Sequence, residues 1–344
     1  MGNNRTIFPA FLIWLISTFF KSTNYKMKVT EHISKAQGST LFSFEILPPL
    51  KGETVQQIYD TIDTLIDFNP AFIDVTYHRE EYIFLERENG LLEKKVVRKR
   101  PGTVGICAAI QNKYKVDAVP HILCGGFDKE DTENFLIDLD FLGIDNVLAL
   151  RGDAIKSEIY FKSERNGHDY ASELVSQING LNQGTYLDDY LENNTPTDFC
   201  IGVAAYPEKH MEAASLRQDI NYLKQKVDAG ADYIVTQMFF NNEAYFDFVD
   251  KCRAAGINVP IIPGLKPIAT KSQLSMIPHR FKVDLPDDLV MEVLKCKDNK
   301  EVKQVGVEWC IAQCRELKAK GVPTLHFYSM GKSENIKTIV KEVL

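Results

Sequence analysis

Short apolar runs alternate along this chain with segments in which apolar residues recur every three or four positions. The first pattern is typical of strands buried in a parallel sheet, and the second is typical of amphipathic helices that cover such a sheet. We predict helices over Thr54–Phe68, Lys129–Leu142, Ala171–Ile178, Ala214–Ala229, Glu243–Ala255 and Val302–Lys320. We predict eight strands, over Leu41–Leu47, Phe72–Tyr77, Ala118–Cys124, Asn146–Leu150, Ile201–Tyr206, Tyr233–Phe239, Val259–Gly264 and Thr324–Tyr328.

A strand-then-helix unit that occurs eight times predicts a single (β/α)8 barrel, an α/β fold, which we place at residues 27–344. A doubly wound open sheet is the alternative, but the chain lacks the GxGxxG and GxxxxGK loops that bind phosphates in many such sheets. The functional groups of a barrel cluster at the carboxyl ends of its strands. Polar residues occupy those predicted ends: Glu45, Thr76, His121, Arg151, Asp153, Tyr206, Glu208, Gln237 and Tyr328.

Charge and cysteine content narrow the set of partners and compartments. The 344 residues include 40 basic and 47 acidic side chains, a formal net charge of -7, which provides no basic surface for nucleic acid. The basic run at residues 93–100 is expected to be a solvated helix end. Seven scattered cysteines make a poor disulfide framework, so we expect a reducing, cytoplasmic compartment. Cys310 and Cys314, four apart, are expected to be packed thiols, and no metal site is expected.

The first 26 residues differ from the rest. Arg5 precedes an almost wholly apolar run, Ile7–Phe20, which has the charged start of a secretory signal but no small-residue cleavage site after it. The run is short for a membrane span. A signal or anchor, a disordered tail, and upstream sequence included by too early a start codon are the three interpretations. We favour the last, and we expect residues 1–26 to contribute nothing to the fold and the protein not to associate with membranes.

Glu45 is the strongest candidate for acid catalysis. It lies inside an apolar strand and shortly before Pro48-Pro49, which would place it at the carboxyl end of that strand. Burying a carboxylate is costly unless it is paired or protonated, and desolvation raises the pKa of such a group towards neutrality. A carboxyl with that property is a general acid. The alternative is an edge-strand glutamate that points to solvent.

Two strand ends have the composition of a ligand-binding turn. Arg151-Gly152-Asp153 follows a buried strand, and its glycine would allow a ligand to approach the backbone closely. An adhesion-type loop is the alternative, but it does not suit a reduced protein at a strand end. Gln237 precedes Met238 and two phenylalanines, and an amide beside aromatic rings suits a flat heterocycle such as a pterin. A glutamine satisfied within the core would give the same pattern.

One helix face carries charge at helical spacing. Asp219, Tyr222 and Lys226 fall on the same side of the predicted helix that follows the Tyr206 strand. Lys226 and the start of the helix could hold phosphates, and Asp219 could contact a ribose or adenine edge. An exposed, solvated face is the alternative for any one of these charges.

Short motifs in a fixed order connect these candidates. They are Phe44-Glu45 with Pro48-Pro49, Asp74-Val75-Thr76-Tyr77, Pro120-His121-Ile122-Leu123-Cys124, Ala149-Leu150-Arg151-Gly152-Asp153, Tyr170-Ala171-Ser172, Ala204-Ala205-Tyr206-Pro207-Glu208, Lys226-Val227-Asp228-Ala229-Gly230-Ala231, Thr236-Gln237-Met238-Phe239-Phe240, Ile261-Ile262-Pro263-Gly264 and His326-Phe327-Tyr328. In this order they resemble the motifs of the methylenetetrahydrofolate reductases, from about Leu41 to the end of the sequence. The resemblance is to the short bacterial form, which consists of the catalytic barrel alone.

The resemblance implies a flavoenzyme in which FAD accepts hydride from NADH or NADPH and then, in a ping-pong sequence, passes it to methylenetetrahydrofolate. It implies that Glu45 is the acid that opens the methylene bridge and that Asp153 tunes the flavin. A homo-oligomer is the expected assembly. The residues implied for folate or nicotinamide are Gln237, Gln273, Tyr328 and Lys332. Those implied for FAD are Thr76, Tyr77, His121, Arg151, Gly152, Asp153, Tyr170, Ala171, Tyr206, His210, Ala213, Asp219, Tyr222 and Lys226.

The sequence departs from the family pattern at several of these positions. Tyr222 stands where many relatives have Asn, Gln225 where many have Arg, and Lys332 replaces an Arg that can make a two-pronged contact to a carboxylate. The segments 156–169 and 182–198 are longer than usual. Two functions of other classes remain as alternatives: a flavin-free barrel lyase or aldolase, which would need a Schiff-base lysine or a metal at a strand end, and a non-catalytic binding protein. We found neither a lysine nor a metal site at the predicted strand ends.

Overall fold

A computed structural model describes residues 26–155, 158–331 and 333–344, so the expectations for residues 1–25 and for Lys332 lie outside it. Eight parallel strands close into a barrel in the order β1, β2, β5, β6, β7, β8, β9, β10 and back to β1. The predicted (β/α)8 barrel is therefore confirmed. The strands are β1 (Leu41–Ile46), β2 (Phe72–Val75), β3 (Glu81–Glu86), β4 (Leu92–Val97), β5 (Asp117–Leu123), β6 (Asn146–Leu150), β7 (Cys200–Ala205), β8 (Tyr233–Met238), β9 (Ile261–Leu265) and β10 (Thr324–Tyr328).

Helices surround the barrel, and no helix in the described ranges is long and apolar enough to cross a membrane. The helix predicted over 54–68 is wrong beyond Asp63, where the observed helix ends. A short 3-10 turn follows, and the left-handed backbone of Asn69 (φ +51°) then redirects the chain into β2. The helices are α1 (Val29–Lys35), α2 (Gln56–Asp63), α3 (Thr103–Tyr114), α4 (Lys129–Phe141), α5 (Ala171–Asn182), α6 (Leu216–Asp228), α7 (Asn242–Ala254), α8 (Gln273–Phe281), α9 (Asp287–Lys295), α10 (Asn299–Ala319) and α11 (Glu334–Val343).

A β-hairpin is inserted between β2 and α3, and it was not predicted from the sequence. β3 and β4 pair antiparallel, with Glu81 opposite Val97, so the basic run expected to end a helix lies largely on a strand. The turn spans Arg87–Gly90, where the Gly90 N–H donates to the Arg87 carbonyl at 2.8 Å, and Gly90 has a left-handed conformation (φ +75°) that its missing side chain permits. An Asn-Gly pair between two strand-like runs is a hairpin signal in its own right.

Alternate residues of each barrel strand point into the barrel, and the residues between them pack against the helices. Polar residues take inward positions towards the carboxyl ends of the strands and are fully or almost fully buried there: Ser43, Asp74, His121 and His326. The inward apolar residues form one core cluster: Phe72, Val119, Leu148, Tyr233, Val235 and Ile262. The barrel is thus packed with apolar side chains in its lower part and lined with polar groups near its open end.

Helix α1 closes the amino-terminal end of the barrel. The fully buried Val29 packs against the inward apolar cluster, and its backbone N–H donates to the Asn146 side chain at 2.8 Å. Asn146 also donates to the Met27 carbonyl at 2.9 Å. The Asp117 carboxylate accepts from the Met27 N–H at 3.1 Å and lies 2.7 Å from His32 Nε2. A ligand can therefore reach the barrel interior only from the carboxyl ends of the strands.

These contacts predict where the chain can be shortened. A chain that begins at Met27 should keep its thermal unfolding midpoint, whereas one that begins at Gln37 should lose about 2 kcal/mol or more of unfolding free energy, because Val29 burial and the Asn146 hydrogen bonds are lost. Thermal and urea unfolding of both chains measure the difference. Equal stability of the two would show that α1 is dispensable, and a loss already present at Met27 would show that residues 1–26 matter.

Candidate active site

Glu45 lies at the centre of the barrel mouth. It is the penultimate residue of β1, and its side chain is only 15% exposed. Its carbonyl accepts hydrogen bonds from the backbone N–H and hydroxyl of Ser329, which holds the end of β1 against the chain after β10. Burial raises the pKa of Glu45 to about 7, while the charges of His121 and Lys266 lower it and that of Asp74 raises it further. The carboxyl can therefore both hold and release a proton near neutral pH.

Two histidines and a second carboxylate lie directly behind Glu45. His121 Nε2 is 3.7 Å from Glu45 Oε2 and 3.6 Å from Asp74 Oδ2. His326 Nε2 is 4.0 Å from the same Asp74 oxygen, and its Nδ1 lies 2.9 Å from Ser43 Oγ. Burial opposes the charge of His121, but the interaction with Asp74 and the charge of Glu45 outweigh it and raise its pKa. Burial lowers the pKa of His326, which favours its neutral form.

Three members of this group were missed as site residues. Asp74 and His326 entered the sequence analysis only as parts of motifs, because nothing in the sequence shows which strand positions face each other. Lys266 was missed because the strand was predicted to end at Gly264, whereas β9 continues to Leu265 and the lysine follows it directly, 8% exposed. With the correct strand end, the rule that placed Glu45 would also have found Lys266.

A second group lies at the ends of β6 and β7. Arg151 donates two hydrogen bonds to the Glu212 carboxylate, at 2.6 and 2.8 Å, and this pairing raises the pKa of the guanidinium despite burial. Gly152 has φ +85°, and a side chain there would also press on Leu123, 3.3 Å away. Asp153 is exposed, yet it is close enough to add to the effect of burial, which raises the pKa of Tyr206. Glu212 was not found from the sequence, since it lies in a loop with no motif.

The third group joins both ends of α6 to the β7 strand and the loop that follows it. Lys226 reaches under the strand end, where its Nζ donates to the Ala204 carbonyl at 2.5 Å. Burial lowers its pKa to about 8, and the charge of Asp219 opposes this shift. The Asp219 carboxylate accepts from the His210 N–H at 2.7 Å, and the His210 ring packs edge-on against Tyr206, with centroids 4.6 Å apart. Ala213, whose carbonyl accepts from Lys209 Nζ at 2.6 Å, completes this loop.

Five expected cofactor residues lie at the margin of these groups. Thr76 follows β2, and its hydroxyl lies 3.4 Å from His78 Nε2. The neighbouring Tyr77 packs on Phe127 with ring centroids 5.0 Å apart, and burial raises its pKa. The remaining three are on helices: Tyr170, 61% exposed, and Ala171 at the start of α5, and Tyr222, 46% exposed, on α6.

Gln237, Gln273 and Tyr328, which are expected to contact folate or nicotinamide, already have backbone partners. Gln237 Oε1 accepts from the Met238 N–H at 2.9 Å, and Gln273 Oε1 accepts from the N–H groups of Ala269 and Thr270 at 2.6 and 3.1 Å. A ligand would meet both glutamines through their amide NH2 groups. Tyr328 donates to the Thr236 carbonyl at 2.6 Å, and burial together with the charges of Glu45 and Asp74 raises its pKa well above the usual value.

No group of three or more His, Cys, Asp or Glu side chains in the described segments has an arrangement that could hold a metal ion. All seven cysteines are buried, and none of them forms a disulfide.

Comparison with known proteins gives relatives of two lengths. The "Methylenetetrahydrofolate reductase 1" of Schizosaccharomyces pombe is 34% identical over 304 residues, which cover 88% of this chain and 45% of that protein. The "5,10-methylenetetrahydrofolate reductase" of Salmonella typhimurium is 31% identical over 317 residues, covering 92% and 94%. The Escherichia coli protein of the same description is 31% identical over 307 residues, covering 89% and 91%. The chain thus spans about half of its eukaryotic relatives and more than nine tenths of these bacterial ones.

A solved structure supports the fold. A Clostridium thermocellum protein described as binding two copies of 5-methyl-5,6,7,8-tetrahydrofolic acid superposes with a TM-score of 0.55 at 16% identity, over 92% of this chain and 98% of that one. At this identity the likeness concerns the barrel alone. The family model described as "Methylenetetrahydrofolate reductase" matches residues 28–343, which is almost everything that the structure describes. This chain therefore belongs to the methylenetetrahydrofolate reductase family.

Proposed function

We propose that this protein reduces 5,10-methylenetetrahydrofolate to 5-methyltetrahydrofolate, with FAD bound at the barrel mouth and NADH or NADPH as the reductant. The observation that carries the proposal is a buried carboxyl, Glu45, whose pKa of about 7 suits an acid at the point where the strands of this family's barrel open. Membership of the family and the near full-length match to the short bacterial relatives support the same reaction.

Glu45 supplies what this substrate requires. A methylene group held between two nitrogens is a poor hydride acceptor until one nitrogen is protonated and the bridge opens. An acid with a pKa near the working pH is protonated in a large share of molecules and still gives up its proton readily. Burial, the largest cause of the raised pKa, also keeps water from competing for that proton.

The second and third groups of the site fit a flavin dinucleotide. Burial lowers the pKa of the Lys226 ammonium group to about 8, and the nearby charge of Arg151 lowers it as well, so a phosphate would stabilise the charged lysine. Gly152 leaves the backbone accessible beside them. When bound, FAD supplies the hydride transfer. It would be held by the residues named from the family resemblance, at the ends of β2, β5, β6 and β7 and along α6.

The folate would lie on the Glu45 side of the mouth. Tyr328 and Gln237 stand at the ends of β10 and β8. The charge of Glu45 raises the pKa of the Tyr328 phenol, so Tyr328 and Glu45 are close to each other. We assign the Gln237 amide to the pterin. Gln273 and Lys332 are assigned to the rest of the folate substrate, and Asp153 to the electrostatic tuning of the flavin. We also propose that the protein is a homo-oligomer. We further propose that it works in the cytoplasm, and the seven buried, unpaired cysteines support this compartment.

A flavin-free lyase would need a nucleophilic lysine at a strand end, and one lysine does stand at such a position. No lysine was predicted at a strand end from the sequence, and Lys266, buried directly after β9, corrects that prediction. Its positive charge lowers the pKa of Glu45. We assign Lys266 to charge balance at Glu45. A purified protein with the visible absorbance of a flavin would exclude a flavin-free lyase, and failure of the protein to bind added FAD would exclude the reductase.

Glu45→Gln tests the acid. The variant should retain flavin and should still be reduced by NADH within about twofold of the wild type, because that half-reaction needs no proton from the protein. Reoxidation by methylenetetrahydrofolate should slow by about a hundredfold. Rapid mixing follows both half-reactions through flavin absorbance. Glu133→Gln is the matched control, since Glu133 is also a buried glutamate with a raised pKa but lies on α4. Equal loss in both half-reactions would make Glu45 structural.

The pH dependence of the two half-reactions gives an independent check. Glu45 has to be protonated to donate, so the rate of folate reduction should be constant below its pKa and fall about tenfold for each pH unit above about 7. Reduction by NADH should not show that limb. Single-turnover rates between pH 5.5 and 9 measure both, and a folate limb that persists in Glu45→Gln would assign the titration to another group.

Flavin binding depends on the buried lysine if the third group holds phosphate. Lys226→Met should weaken FAD binding by about tenfold or more, since a charge-assisted hydrogen bond to phosphate contributes about 1.5–3 kcal/mol. Folate reduction should recover when FAD is in excess. Lys224→Met is the control, because Lys224 lies on the same helix but pairs with Asp228 on the surface. Titration of the apoprotein with FAD, followed by flavin fluorescence, measures affinity; unchanged binding in Lys226→Met would mean that this lysine only supports the β7 strand end.

A further inference from the structure

Asp74 is the most deeply buried charge at the open end of the barrel. It lies on β2 with 0% exposure, and neither carboxylate oxygen has a hydrogen-bond partner among the described residues. Burying a carboxylate this way is costly unless nearby charges compensate it. The nearest cationic candidates are two imidazoles, His121 at 3.6 Å and His326 at 4.0 Å.

We propose that Asp74 is a positioning residue for the folate reduction proposed above: it keeps the imidazole of His121 protonated, and His121 returns a proton to Glu45 after each substrate molecule has taken one. The proposal rests on that function for its second half only. Its first half, the pairing of Asp74 with a protonated His121, is a property of the protein alone.

The charges around His121 single it out among the imidazoles of the mouth. The carboxyl groups of Glu45 on β1 and Asp74 on β2 face it, and His326 approaches Asp74 from β10. Burial and the nearby cations Arg100, His121 and Arg280 lower the pKa of His78 to about 4, and burial also lowers that of His326. Of these three described imidazoles, only the one between the two carboxylates has its pKa raised. His326 and His78 therefore stay neutral where His121 carries the charge.

Geometry gives the proton a short path. His121 Nε2 lies almost equally far from the two carboxylates, 3.7 Å from Glu45 and 3.6 Å from Asp74, so a small rotation brings either within hydrogen-bond distance. When Glu45 has donated, the Nε2–H bond of the imidazolium breaks and an O–H bond forms on Glu45. The imidazole is left neutral, and it recovers a proton from bulk water at the open mouth. No electron transfer is involved in this step.

Neighbouring contacts keep His326 in place during this exchange. The Ser43 hydroxyl lies 2.9 Å from His326 Nδ1, and the His326 ring stacks on Phe72 with centroids 6.0 Å apart. The His326 Nε2 atom faces Asp74 from the β1 and β10 side of the barrel, whereas β5 borders β2 on the other side. The second imidazole can move little, so it stays beside Asp74 and leaves the His121 side of the carboxylate free.

The same barrel provides a control for a merely structural role. Asp117 on β5 is also buried, and its carboxylate lies 2.7 Å from His32 Nε2, but this pair is at the closed end, under α1. Asp74→Asn and Asp117→Asn each remove one buried carboxylate of a barrel strand with almost no change of shape. A general loss of stability should be common to both variants, whereas an effect on Glu45 should occur only in the first.

Titration of the histidine Cε1 signals by NMR tests the first half. The chain has seven histidines, and a His121→Gln sample identifies the signal of His121. In the wild type His121 should titrate above 6.5, and in Asp74→Asn its midpoint should fall by at least about one pH unit, the usual effect of removing an adjacent opposite charge. Asp117→Asn should leave it unchanged. A wild-type midpoint below 6.5, or no shift in Asp74→Asn, overturns the proposal; the wild-type measurement decides even if Asp74→Asn does not fold.

Rapid mixing tests the second half on the same flavin-loaded variants. Asp74→Asn should be reduced by NADH within about twofold of the wild type, while its oxidation by methylenetetrahydrofolate at pH 7 should slow by about tenfold or more. Asp117→Asn should match the wild type in both. A shifted His121 with an unchanged folate rate overturns proton return. If the wild type itself does not reduce the folate, the proposed function fails, and the titration still decides whether Asp74 holds the proton on His121.

Discussion

Charged side chains in this barrel are held away from water, and the candidate site depends on how those charges are compensated. The closed sheet alone would not achieve this. Helix α1 covers the amino-terminal end, and the apolar cluster above it fills the lower interior, so Glu45, Asp74 and His121 are shielded from water on that side. This burial is what raises the pKa of Glu45, and it also strengthens the effect of each neighbouring charge on that pKa.

The fold and the place of Glu45 could be predicted from the sequence because both depend on local patterns. Alternation of residues along a strand and the stop at Pro48 are enough to put a carboxyl at a barrel mouth. The partners of that carboxyl could not be predicted. Glu45 meets Asp74 because the register of β1 and β2 sets them side by side, and no feature of either segment specifies that register. The hairpin is different, since its Asn-Gly turn is a signal that the sequence does contain.

Side-chain pairs between different loops could not be predicted from the sequence either. Arg151 was predicted as a cofactor residue from its own motif, but its bidentate partner Glu212 comes from the next loop of the barrel, 61 residues later. This carboxylate matters for the proposed phosphate contact, because an incoming phosphate has to share the guanidinium with Glu212 or displace it. Phe161, from the long segment after β6, lies 5.0 Å from the same guanidinium and narrows the space in which that exchange can take place.

The barrel is closed by its first and last strands, and this has a consequence for biosynthesis. Ser43 and His326, joined across the β1–β10 seam, are 283 residues apart, and the carbonyl of Glu45 is fixed by Ser329. A growing chain can form the intervening β/α units as it leaves the ribosome, but it cannot fix the acid of the site until β10 has emerged. Incomplete chains released before β10 has emerged therefore contain most of the β/α units but lack the fixed acid of the candidate site.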